Sequence, residues 1–170
     1  MWLMTASLLN SWKYLLAYGD MDDFMRVLRR EPSPKTEAQA KGDEFEAWAY
    51  QNLPEMMVGT HQIALKKQVG DFLLYGRLDN LHAGVIYDTK YTGRYEVGKY
   101  RGSPQTSMYF EITPGSYKFE YIISDGKELY RETYYPDDVE PIMNIINDFI
   151  EWLKVNNLLE VYQRHWLALN

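Results

Sequence analysis

The chain has 170 residues, 46% of them hydrophobic and 25% charged, enough for one packed core and too apolar for a disordered or low-complexity chain. It has no cysteine, which excludes disulfides, thiolate zinc sites, iron–sulfur clusters and cysteine nucleophiles, and its three histidines (His61, His82, His165) fall at no metal-ligand spacing. The net charge of −6 argues against a nucleic-acid partner, but it is uneven: residues 61–102 carry seven basic and four acidic side chains between two acidic flanks.

The opening MWLMTASLLNSWKYLLAYGD has no basic start, and Asn10, Ser11 and Lys13 break its apolar run, so it reads as a packed helix rather than an export signal. No stretch approaches the roughly 20 apolar residues of a bilayer span. The expectation is a cytoplasmic protein without membrane contact. Apolar positions Leu8, Leu9, Trp12, Leu15 and Leu16 predict a helix over 5–18, capped by Thr5 or Ser7. A second helix, 21–30, ends before the proline-marked linker EPSPK, and a third runs from about Glu37 to Asn52, where Pro54 stops it.

From His61 the pattern becomes extended. THQIALKKQVG, DFLLYGRLDNL and AGVIYDTKYT predict three strands joined by short antiparallel turns. A loop rich in glycine, tyrosine and basic residues follows, with Tyr91, Arg94, Tyr95, Lys99, Tyr100 and Arg101 suited to stacking bases and neutralising phosphates. Ser103-Pro104 opens a short helix to Ile112. Two strands, SYKFEYIIS and KELYRETYY, flank the hairpin signal Asp125-Gly126. Asp137 and Glu140 form a capping box expected to open an amphipathic helix with Val139, Ile142, Ile146, Phe149 and Leu153 on one face, and a last helix covers about 158–168. The fold class is α/β, a mixed sheet of about five strands flanked by helices. All five tryptophans, Trp48 among them, sit at helical apolar positions and are expected in the core.

Side chains alternate along a strand, so Asp88 and Lys90 share a face in what reads as an interior strand, where charges are costly unless paired or used. Asp79 precedes Asp88 by nine residues through a turn, which brings the two carboxylates together. Such a pair repels itself unless a proton or a cation intervenes, and with no thiol and no usable histidine a magnesium ion is the simplest resolution. With Lys90 beside it, the set suits phosphodiester hydrolysis.

Four features stand in order: Gly42 to Glu46 on the third helix, Gly76-Arg77-Leu78-Asp79 at a strand end, Asp88-Thr89-Lys90 in the next strand, and Gln105 to Tyr109 on the short helix. Together they resemble the motifs of the PD-(D/E)XK nuclease superfamily, most closely its RecB-type and lambda-exonuclease-type members. The match covers about residues 42–109, and Thr5 to Trp12 resembles the N-terminal helix of RecB-type nucleases. The resemblance implies a restriction-endonuclease-like core. Asp79, Asp88 and the Thr89 carbonyl would bind Mg2+ (Mn2+ substituting), Glu46 would reach the same ion, Lys90 would be catalytic, and Gln105 and Tyr109 would contact the substrate strand. Whether Glu44 or Glu46 faces the metal stays open. Residues 1–170 would be one nuclease domain: an N-terminal helical segment (1–35), an α/β catalytic core (36–135) and C-terminal helices (136–170). The implied activity is metal-dependent exonucleolytic hydrolysis of DNA in recombination, repair or phage DNA processing, with any helicase or recombination partner on a separate chain. The missing cysteines exclude the iron–sulfur cluster of some relatives. The alternative is a non-catalytic module that binds DNA or protein on the same scaffold.

Overall fold

A computed structural model describes residues 1–169. The elements are β1 (Trp2–Thr5), α1 (Ala6–Tyr18), α2 (Met21–Leu28), α3 (Glu37–Asn52), α4 (Pro54–Val58), β2 (Thr60–Val69), β3 (Phe72–His82), β4 (Val85–Tyr91), α5 (Pro104–Ile112), β5 (Lys118–Ser124), β6 (Leu129–Tyr134), α6 (Ile142–Val155) and α7 (Leu159–His165). The sheet has six strands rather than about five. The additional strand is β1, whose four residues lie in the segment read as leading into a helix.

Local chemistry accounts for most boundaries. Thr5 Oγ1 accepts from Leu8 N at 3.2 Å to start α1, and Gly19 ends it in the left-handed region, at φ 80. Thr36 and Gln39 form a reciprocal capping box on α3. The expected box at Asp137 and Glu140 does not open a helix. Pro136–Asp138 make a 3-10 turn in which Asp138 Oδ2 accepts from Tyr135 N at 2.8 Å, and Pro141 sits at the N-cap, so α6 begins at Ile142. Pro54 ends α3 as expected, yet also stands in the first turn of α4, where a missing N–H costs nothing.

The sheet order is β1-β3-β4-β5-β6, with β2 along the other edge of β3. β2 pairs antiparallel with β3 in one constant register from Thr60↔Leu81 to Val69↔Phe72. On its opposite edge β3 is shared: Phe72–Tyr75 pair in parallel with β1, and Asn80–His82 pair antiparallel with β4. Residues 76–79 therefore have no ladder partner on that edge, and the sheet forks there. α5 crosses over between parallel β4 and β5, and Asp125-Gly126 turns β5 into β6 as expected.

Alternation along β4 sends Ile86 to a core built from α1, α2, α5, α6 and α7, centred on Leu8, Leu9, Trp12, Phe24, Phe119 and Phe149. Val85 and Tyr87 face the other way, against Phe45, Ala49 and Met56 of α3 and α4. Trp48 is not in either core; it is 44% exposed. Within α3, a Cβ at Gly42 would meet nothing within 4 Å. Gly42→Ala is accordingly expected to stabilise the chain by about 0.5–1 kcal/mol, read in denaturant unfolding, because glycine in a helix interior carries an entropy cost with no packing return here.

Candidate functional site

The fork in the sheet is where the sequence-predicted residues meet. Asp79 is the first residue of β3 beyond its last pair with β4, Asn80↔Tyr87, and Asp88 is the next residue of β4. Asp79 Oδ2 accepts from the main-chain N of Thr89 at 2.9 Å and from Thr89 Oγ1 at 3.1 Å. Asp88 is 2% exposed, and its Oδ1 accepts from Gln105 Nε2 at 2.8 Å. Lys90 Nζ lies 2.8 Å from Asp88 Oδ2, but off the line a hydrogen bond needs, so that buried oxygen has a charge neighbour and no hydrogen-bond partner.

α5 is locked into the fork by Tyr109, whose hydroxyl donates to the Arg77 carbonyl at 2.9 Å. Gly76 makes this possible: a Cβ there would come within 2.5 Å of the Tyr109 ring and 2.8 Å of Ile112. Tyr109 therefore holds the strand end, and Gln105, one turn earlier on α5, reaches the carboxylate.

From the α3 side, Glu46 is half-buried and bonded by the side-chain amide of Gln62, which also lies 3.5 Å from the Tyr50 hydroxyl. Tyr50 in turn donates to the Asp79 carbonyl and stacks on His61 at 4.0 Å. Glu46, not Glu44, neighbours Asp79 and Asp88; Glu44 lines a separate cleft with Trp48 and Tyr91. Gln62 has no counterpart in the sequence reading, where it is one polar residue of an alternating strand.

The electrostatics are those of crowded acids. Burial, then the charges of Asp88 and Glu46, push the Asp79 carboxyl up to about 8, against the pull of the Thr89 N–H and Lys90. Burial raises Glu46 too, opposed by Tyr50 and Gln62. An acid held this high, a buried carboxylate oxygen whose close neighbour is the Lys90 ammonium rather than a hydrogen-bond donor in line, and an all-oxygen donor set fit a hard divalent cation. Among the described residues no three histidine or carboxylate side chains already converge as a metal site, so Asp79 and Asp88 would need a further donor.

Beside Lys90 and Gln105 opens a cleft of about 440 Å³ lined by Lys13 of α1 with Lys99, Arg101 and Ser103 of the 92–103 loop. Lys99 Nζ is anchored on Thr92 Oγ1 at 2.5 Å and the Arg94 carbonyl at 2.9 Å. Glu132 of β6 holds the loop from below, accepting from Tyr95 Oη at 2.9 Å and Tyr100 N at 3.2 Å. Arg94 is not brought to the carboxylates; its side chain is 86% exposed and pairs with Glu96 at 3.3 Å. His82 ends β3 and His165 ends α7, and no helix of the described residues is long and apolar enough to cross a membrane.

The sequence matches no family model and no curated protein. Solved structures do resemble it in fold. SSO0001 superposes with a TM-score of 0.60 at 12% identity, over 89% of this chain and 76% of its own. LHK-Exo, crystallised in complex with dAMP, superposes with a TM-score of 0.59 at 14% identity, over 95% of this chain and 91% of its own. At these identities the likeness is one of architecture: a mixed α/β fold shared with an exonuclease structure, extending across nearly the whole of both chains.

Proposed function

We propose that the chain is a metal-dependent deoxyribonuclease of the PD-(D/E)XK type that removes nucleotides from DNA ends. The observation that carries this reading is the pair Asp79 and Asp88 at the vertex of a forked sheet, with Lys90 beside them and one buried carboxylate oxygen left without a hydrogen bond. Magnesium, or manganese in its place, would be held by Asp79, Asp88 and the Thr89 carbonyl, with Glu46 supplying a further oxygen. Such an ion lowers the pKa of a bound water and polarises a phosphoryl oxygen. The Lys90 ammonium then stabilises charge developing on the phosphate, and Gln105 fixes the Asp88 carboxylate. Lys13, Lys99 and Arg101 receive backbone phosphates in the adjoining cleft, which answers the objection raised by the acidic net charge. The shared fold with LHK-Exo, an exonuclease by name that was crystallised with dAMP, supports a nucleotide ligand and the exonucleolytic mode. Recombination, repair or phage DNA processing is the setting this reading assigns, in the cytoplasm, with a helicase or recombination protein as a separate partner.

The test is degradation of end-labelled linear DNA, single- and double-stranded, in magnesium, in manganese and in EDTA. Wild-type protein is expected to release nucleotides only with metal, and Lys90→Ala to lose at least about a hundredfold in rate. If the folded wild type cleaves neither linear nor circular DNA under either metal, the non-catalytic binding module becomes the better reading.

A further inference from the structure

Gln62 is the one residue inside a strand, among those described, that is not glycine and has a positive φ. At φ 52 it lies in the left-handed region, which an unbranched polar side chain enters only at a cost. Arg30, Ala83 and Asn157, which share that sign, all sit in turns outside helices and strands. The sheet itself does not require the distortion. The β2–β3 register is the same on both sides of it, His61↔Asn80 and Ile63↔Leu78, so no residue is inserted and no bulge is accommodated. Only the Gln62–Asp79 position drops out of the ladder.

What the distortion does is turn one side chain. The Gln62 amide donates to Glu46 Oε1 and approaches the Tyr50 hydroxyl, while that hydroxyl donates to the Asp79 carbonyl across the same gap. The strained residue, the α3 carboxylate and the strand end bearing Asp79 form one connected set. We infer that Gln62 is a positioning residue: its backbone is held out of the ladder so that its amide fixes the Glu46 carboxylate toward Asp79 and Asp88. One oxygen of Glu46 is occupied by the amide, and the Tyr50 hydroxyl lies against the same carboxylate, so both partners hold it beside Asp79 and Asp88. This inference rests on the nuclease reading only for what the oriented carboxylate binds. Partners that orient a metal-binding carboxylate carry about ten- to a hundredfold of metal affinity.

Glycine separates the two roles Gln62 could have, because it accepts a positive φ without strain and lacks the amide. Manganese alone, titrated calorimetrically into wild type and Gln62→Gly without DNA, is the measurement, with thermal unfolding of both proteins in EDTA beside it. The expected result is manganese binding weakened about tenfold in Gln62→Gly, with a melting temperature close to that of wild type, because relief of the positive φ offsets the lost amide bond. Equal or tighter manganese binding by the variant overturns the inference and leaves the nuclease reading standing. A variant that melts well below wild type shows that Gln62 serves the fold, and also overturns it. No manganese binding by the wild type removes both this inference and the metal site beneath it.

Discussion

Asp79→Asn is expected to melt higher than wild type at pH 8 in EDTA while losing all metal-dependent cleavage. The carboxyl of Asp79 is pushed up to about 8 by burial and by the charges of Asp88 and Glu46, so ionising it in the folded chain works against the fold. The native state then holds its proton over a range in which the unfolded chain has released it. The contribution of Asp79 to stability is therefore fully present below the ordinary carboxylate range near pH 4, falls as pH rises, and reaches its low plateau above about 8. Asparagine keeps an acceptor for the Thr89 N–H and has no charge to repel, so the Asp79 part of the pH dependence is absent from the variant. The gap is expected to widen with pH to about 2 kcal/mol or more, or about 4–8 °C in a chain of this length. Magnesium or manganese at pH 8 should raise the wild-type melting temperature and leave the variant unchanged, because only the wild type offers paired anions to the ion. Melting curves at pH 5, 6.5 and 8, with EDTA and with metal, decide the matter. A variant equally or less stable at every pH would mean that the carboxylates do not oppose each other.

Glu132→Ala is expected to be the most destabilising single truncation near the site. Glu132 is 7% exposed, and its carboxylate accepts from three groups: Tyr95 Oη at 2.9 Å, Tyr100 N at 3.2 Å and Tyr134 Oη at 2.5 Å. Tyr134 is itself buried, so its hydroxyl is left without an acceptor when the carboxylate goes. Charged acceptors of this kind contribute more than neutral ones, and the combined loss is expected to be about 3 kcal/mol in urea unfolding. Tyr95→Phe, which removes a single bond at the rim, should cost about 1 kcal/mol. The two variants differ also in what they release. Without Glu132 the 92–103 loop keeps its stacking of Tyr95 on Tyr130 and of Tyr100 on Tyr121 but loses its polar anchor. Lys99 and Arg101 then no longer line a preformed cleft, and DNA affinity is expected to drop about tenfold, measured on Lys90→Ala protein so that cleavage does not intrude. Unchanged unfolding would show that the carboxylate is dispensable to the loop.

The strands that alternate cleanly were legible as strands, and so was the order of the site residues. THQIALKKQV carries its period in the sequence, VIYDTKY its run of β-branched and aromatic residues, and Asp125-Gly126 its turn. β1 was not legible, because Trp-Leu-Met-Thr has no alternation and becomes a strand only through pairing with residues 72–75, some seventy positions away. The start of α6 was misplaced because Asp138, rather than Asp137, found a backbone donor, and Pro141 then set the first helical turn. Trp48 occupies the helical spacing of a core residue beside Phe45 and Ala49, yet it is 44% exposed, on the rim of a cleft that the β5–β6 turn also lines. Glu44 and Glu46 could be separated only by the rotation of α3 against β4. Gln62 was beyond reach altogether: nothing in an alternating strand announces that one residue will leave the ladder at positive φ.

The fork at β3 also decides how motion reaches this site. β4 with β5 and β6 forms one arm, β1 with the first half of β3 forms the other, and the arms join at Asn80↔Tyr87. In any bending about such a joint, displacement grows with distance from the fulcrum. Asp79 and Asp88 are the first residues beyond it, so their separation changes least when the arms spread. Lys90 lies two residues farther along its arm, and the 92–103 loop farther still, so the same bend moves them most. The fold thus sets the anionic pair at the vertex of the fork and places Lys90 and the basic loop farther out along one arm.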